Sequence, residues 1–134
     1  MSAKPLITPE MISGMQGFVP SVLATCSANG VSNITYISQI FYVDDQHIAF
    51  SAQLLNKTWQ NLEENRLATA MITAADFSQM WKLHLEFIEQ QTSGELFDDM
   101  DMQLQAIAAY IPSNINFKLT GAMLCRVIDV ELVV

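Results

Sequence analysis

The residues whose types and spacing could do chemistry gather at Asn56-Lys57-Thr58, with Ser51 just upstream. The stretch HIAFSAQLLNKTWQNLEEN reads as a strand running into a helix. A helix start presents unpaired N–H groups and a partial positive charge, which together favour an anion. Asn56 is a good N-cap, Lys57 supplies a cation and Thr58 a hydroxyl donor. The cation matters because the chain has only six: Lys4, Lys57, Arg66, Lys82, Lys118 and Arg126, against fourteen Asp and Glu, for a net charge of -8. On spacing alone, an ordinary cap, a solvated lysine and a first-turn threonine fit the same residues, and both readings stay open at this point.

Other chemistries find less support. His47 and His84 are too isolated to form a metal site, and no Ser/His/Asp set can be read. Asp98, Asp99 and Asp101 stand early in a helix, where acids complement the dipole. Cys26 and Cys125 lie far apart in strand-like apolar runs and read as buried free thiols. The eight methionines are scattered and read as core filling. A chain this acidic is a poor match for nucleic acid or an anionic membrane surface. It has neither the h-region of a signal peptide nor an apolar run of bilayer length, so a soluble, cytoplasmic protein is expected.

The elements that must position the cluster follow from periodicity. With 134 residues, 51% of them hydrophobic, one domain over 1–134 is expected. Thr8 can cap a short helix that starts at Pro9, with Glu10 at its positive end, and Gly17 ends it. Phe18 to Ser27 reads as a strand, Ala28-Asn29-Gly30 as a hairpin turn and Val31 to Tyr42 as a second strand. After Asp44-Asp45 comes a third strand, His47 to Ala52. The helix Asn56 to Asn65 turns Trp59 and Leu62 inward and Glu63 and Glu64 outward. Leu67 to Thr73 is a fourth strand. In the next, Trp81 to Gln90, Trp81, Leu83, Leu85 and Phe87 alternate onto one buried face. Ser93-Gly94 breaks the chain before a helix over Glu95 to Tyr110, ended by Pro112, with Leu96, Phe97, Met100, Leu104, Ile107 and Ala108 as its inner stripe. Phe117 to Val134 is a last strand pair, or one strand bent near Gly121. The expectation is a mainly β fold with short α-helices, its antiparallel strands closed or nearly closed so that no edge is left open.

The ordered set NITYISQIFYVDDQHIAFSAQLLNKTWQNLEEN, EFIEQQTSGELFDDM and FKLTGAMLCRVIDVELV resembles the FMN-binding split-barrel family related to pyridoxamine 5'-phosphate oxidase. Within it, the chain looks like the subgroup described as flavin-nucleotide-binding proteins. The resemblance implies a six-stranded antiparallel split β-barrel and a homodimer with FMN at its interface. It also implies two-electron chemistry on a small-molecule substrate. Carried over by position, Lys57 and Thr58 would hold the FMN phosphate, with Asn56 in place of the family's Ser. Ser51 would match the hydroxyl residue at the end of the third strand. Thr35, Tyr36, Ile37, Ser38 and Gln39 would lie under the ring and ribityl chain, and Trp81 or a neighbour would reach the partner's flavin. Thr58 replaces a usual second cation, so a weaker, more salt-sensitive clasp is expected. The segment by which the oxidase grips its substrate has no counterpart, which argues against pyridoxamine phosphate as substrate. A non-catalytic flavin carrier or sensor is the alternative, and a cofactor-free domain with a decayed clasp is a third reading. No residue is assigned as acid, base or metal ligand.

Overall fold

The structure is a computed structural model and describes residues 6–15, 20–37, 39–52, 56–109 and 118–133. Gly17, Phe18, Ser38, Pro112 and Phe117, singled out above, lie outside them. Helix α1 is a single turn, Pro9–Ile12, continued as a 3-10 turn over Ser13–Met15. Thr8 sits at its N-cap position but makes no side-chain cap bond. Strands β1 (Ser21–Cys26), β2 (Ser32–Ile37), β3 (Ile40–Asp44) and β4 (His47–Ala52) follow, then α2 (Asn56–Asn65), β5 (Leu67–Thr73), β6 (Met80–Gln91), α3 (Glu95–Ala109) and β7 (Gly121–Leu132).

The strands form one antiparallel sheet in the order β2-β1-β5-β6-β7-β4-β3. Two expectations are corrected. Among the described residues the sheet has seven strands rather than six, because the segment read as one strand from Val31 to Tyr42 is two. The sheet is also open: β2 and β3, consecutive in the chain, are its two edges and do not pair with each other. The last segment is one continuous strand starting at Gly121, which settles the alternative left open above.

Alternation along the strands builds the core. Leu23, Ile37, Ile48, Phe50, Ala70, Ile72, Leu83, Leu85, Phe87 and Val127 point to one buried side. Helix α2 closes one end of this core with Leu62 and Trp59, and the Trp59 ring meets Phe87 edge-on at 5.9 Å. Helix α3 packs Met100 and Leu104 against Ala49, Leu119 and Ala122 as a second cluster. Trp81 is 5% exposed and belongs to the core, so it is not free to reach a partner's flavin.

Two turns bear on the site. The β1–β2 turn is closed by the Gly30 N–H on the Ser27 carbonyl at 3.0 Å, and Gly30 adopts φ +82°, which only glycine takes at little cost. The α2–β5 junction turns at Arg66, φ +60°. There the guanidinium donates to the Phe87 and Ile88 carbonyls at 3.4 and 3.1 Å and lies over the Phe87 ring, 5.6 Å from its centroid.

Candidate functional site

Helix α2 is fastened across the β1–β2 hairpin by a polar seam. The Asn33 amide donates to the Thr58 hydroxyl at 3.3 Å, Asn61 donates to Thr25 Oγ1 at 3.0 Å, and Asn65 donates to the Cys26 carbonyl at 3.0 Å. At the far end Glu64 accepts from the Ala28 N–H of the turn at 2.8 Å. Thr58 and Asn61 are both 2% exposed, so the seam fixes the helix start in position over the beginning of β2. Asn33 is the residue that sequence reasoning missed. It lies 25 positions from Thr58, inside an ordinary alternating strand, and nothing local marks it.

The electrostatics of this helix start are unusual for so acidic a chain. α1 and α3 place Glu10, or Glu95 and Asp98, in their first turns, whereas α2 has no acid there. Its acids, Glu63 and Glu64, stand near the C-terminal end, where the dipole disfavours them. Lys57 is exposed and forms no ion pair among the described residues. Two other described cations are committed: Arg66 to backbone carbonyls, and Arg126 to Glu86 at 3.1 Å. Asn56 opens α2, placing it within the first turn.

Gln39 and Ser51 form a second group. Both are buried, at 1% and 2% exposure, and the Ser51 hydroxyl donates to the Gln39 side-chain carbonyl. The Gln39 amide in turn donates to the Met100 carbonyl at 3.1 Å and to Gln103 Oε1 at 2.5 Å. Gln39 is therefore occupied in holding α3 to the sheet and Ser51 in holding Gln39, and the Ser51 N–H also donates to the Gln39 carbonyl at 3.2 Å. Thr35 and Ile37 share the inward row of β2 with Asn33. Tyr36 is on the opposite row, 73% exposed beside Ile34 at 72%. The structure thus joins Lys57 and Thr58 to Asn33, joins Gln39 to Ser51, and sets Tyr36 apart on the outer face. Ser38 lies outside the described residues.

That outer face has an open groove of about 510 Å³, lined by Ala24, Cys26, Leu67, Thr69, His84 and Ile128 among others. On its β6–β7 side His84 meets Glu131 at 2.8 Å and Thr69 at 3.4 Å. The His84 hydrogen bond, helped by the Lys82 charge, holds the Glu131 carboxyl below its ordinary value. No group of three or more His, Cys, Asp or Glu placed to hold a metal occurs among the described residues. Nor is any described helix long and apolar enough to cross a membrane.

An open antiparallel split barrel with an anion-ready helix start after its fourth strand defines a class of fold. The family model for pyridoxamine 5'-phosphate oxidase matches residues 7–118, and the chain belongs to that family. Solved structures agree on the architecture. An FMN-binding protein from Syntrophomonas wolfei subsp. wolfei is 20% identical, with 92% of this chain and 86% of that one covered and a TM-score of 0.74. HupZ of Group A Streptococcus is 17% identical over 95% and 94%, TM-score 0.72. The haem-storage protein HutZ of Vibrio cholerae is 17% identical over 89% and 87%, TM-score 0.54. At these identities the likeness is one of fold. No functionally curated protein matches the chain in sequence.

Proposed function

We propose that the chain is a homodimeric, cytoplasmic FMN-binding protein that serves as a flavin-dependent oxidoreductase on a small molecule. The observation that carries the reading is the first turn of α2. It combines the N–H groups of a helix start, a Lys57 with no ion pair among the described residues, the buried Thr58 hydroxyl and the Asn33 amide, with no acid in the turn. These groups suit a phosphate. Backbone groups of Thr35 to Gln39, running on from Asn33, would lie along the ribityl chain and the polar edge of the ring. Bound flavin would supply the hydride and electron chemistry. This chain's residues would anchor the phosphate, orient the ring and keep charge away from its apolar face. No described side chain is placed as a proton donor, so substrate choice would rest on shape and on the groove of the outer face.

A second reading has one observation in its favour: the haem-storage protein HutZ has the same fold. The outer face would then hold a ligand without turnover. The test is a visible spectrum of the purified protein with and without added FMN, followed by mass identification of the released ligand and reduction by NADH or NADPH. A perturbed flavin spectrum with reduction supports the oxidoreductase. A flavin that no donor reduces supports a carrier or sensor, a Soret band with haem supports the second reading, and a colourless protein that ignores FMN refutes the clasp.

A further inference from the structure

The β5–β6 hairpin has a feature that its own chain does not use. Its turn is closed by the Phe77 N–H on the Ala74 carbonyl at 2.8 Å and the Ala74 N–H on the Gln79 carbonyl at 2.9 Å. The Asp76 carboxylate accepts from both the Ser78 N–H, at 3.0 Å, and the Ser78 hydroxyl, at 2.6 Å. Phe77 is the fourth residue of that turn and adopts φ +63°. Gly30 fills the same place in the β1–β2 turn, at φ +82°. A bulky side chain in the left-handed region is an outlier that persists where something else demands it. The other described non-glycine with positive φ, Arg66, has its demand within the chain, two carbonyls and the Phe87 ring. Phe77 has none among the described residues: it is 71% exposed. A costly backbone displaying an uncovered aromatic points to a partner.

An uncovered counterpart exists on the same molecule. Ile34 and Tyr36 on β2 are 72% and 73% exposed, and Leu67 on the same outer face is 53% exposed. Neither SVLATC of β1 nor SNITYI of β2 contains an Asp, Glu, Lys or Arg. In a chain of net charge -8 this is where two copies can approach without like charges meeting. The charged side chains of the outer face, Lys82, His84, Glu86, Arg126 and Glu131, all lie on β6 and β7. Phe77 cannot cover the strip in its own chain. Tyr36, Val22 and Met71 share one row, so β2 lies two strand spacings from β5, about 10 Å. The turn begins three residues beyond Met71, about another 10 Å along.

We propose that Phe77 of one copy seats on the Ile34–Tyr36 strip of a second copy, around a two-fold axis, and there walls the ring end of the partner's flavin site. This rests on the homodimeric flavin reading above. A two-fold arrangement satisfies both unmatched features at once, each copy giving its tip and receiving the other's.

The test uses the full chain without ligand first. F77G keeps the turn and relieves its strain, and I34K changes an exposed position, so both monomers stay folded. Sedimentation equilibrium should show the dimer dissociation constant raised about tenfold or more in each variant, the scale of a lost interface aromatic. Mixing the two variants should recover an intermediate constant, because one Phe77–Ile34 contact is intact in the mixed dimer. An F77G dimer constant equal to wild type, no recovery on mixing, or open-ended assembly instead of a dimer each overturns the proposal. FMN titration at concentrations where both proteins are dimeric is read separately. Weaker FMN binding by F77G supports the wall, and equal FMN binding overturns it. A wild-type dimer that binds no FMN instead fails the flavin reading while the sedimentation result still decides the contact.

Discussion

Replacing Lys57 with Ala tests the clasp most directly. Lys57 is exposed and has no ion pair among the described residues, so the fold should not depend on it. Ala is also the better helix former, and the melting temperature should hold or rise slightly. The effect on phosphate can be bounded. One unit charge about 4 Å from another is worth about 1 kcal/mol in water and about 4 kcal/mol at the effective dielectric of a protein surface. Charge-assisted hydrogen bonds contribute about 1.5–3 kcal/mol. The exposure of Lys57 argues for the lower half of that span, so we take about 2 kcal/mol, or about a 30-fold rise in Kd. Flavin fluorescence titrations with FMN and with riboflavin, which lacks the phosphate, separate the phosphate contact from everything else. FMN should lose about 30-fold, riboflavin should be unaffected, and the FMN loss should shrink as salt is raised. Lys57→Arg should restore most of the FMN affinity. An equal loss for both ligands, or no loss for FMN, would refute the assignment of the phosphate to the start of α2.

Three further outcomes are expected. Gln39→Leu strands the Ser51 hydroxyl, the Met100 carbonyl and Gln103 in a buried place, and should cost about 2–4 kcal/mol in urea unfolding. FMN affinity of the folded fraction should stay as in wild type, and a selective loss of affinity would instead make the Gln39 side chain a ligand contact. Burial pushes the Cys125 thiol up to about 12, while Cys26 is half-buried at the groove, so a disulfide reagent at pH 8 should titrate one thiol in the native protein and two in denaturant. The Glu131 carboxyl is held below its ordinary value of 4.5, so its contribution to stability is present above about that pH and is lost as pH falls through the lower folded value. The melting-temperature gap between wild type and Glu131→Gln should therefore be open at pH 7 and close in acid, and a gap constant with pH would exclude the His84 bond as its source.

The parts of the fold legible in the sequence are those written locally. Asn29-Gly30 marked the first hairpin, and the alternation of Trp81, Leu83, Leu85 and Phe87 marked the buried face of β6. That alternation already placed Trp81 in the core, and it prevailed over the family-based expectation of a flavin contact. The break between β2 and β3 was not legible, because no Gly or Pro interrupts VSNITYISQIFY. It occurs where Gln39 leaves the strand pattern to bond Met100 and Gln103, 61 and 64 residues away. Asn33 escaped for the same reason, since its partner Thr58 is contributed by a helix that the open sheet brings over β2. The start of α2 at Asn56, and with it the first-turn placing of Lys57 and Thr58, was legible because a helix start carries its own local signature.

The two rows of β2 would let so small a chain place the proposed phosphate anchor and the proposed subunit contact close together. A strand's side chains alternate, so Asn33, Thr35 and Ile37 face the core and α2 while Ser32, Ile34 and Tyr36 face outward. The inward row would serve the proposed clasp while the outward row carries the uncharged strip, with no residue required to do both. A flavin held at the α2 end by its phosphate would run along this strand and carry its ring toward the strip. Binding and dimerisation would then be coupled through β2, and saturating FMN should tighten the dimer by the square of the factor by which the dimer tightens each of its two FMN sites. Riboflavin, if the phosphate at α2 is what sets the ligand's register on β2, should tighten it less. A dimer constant indifferent to FMN would place the ligand away from the strip and separate the two functions of the strand.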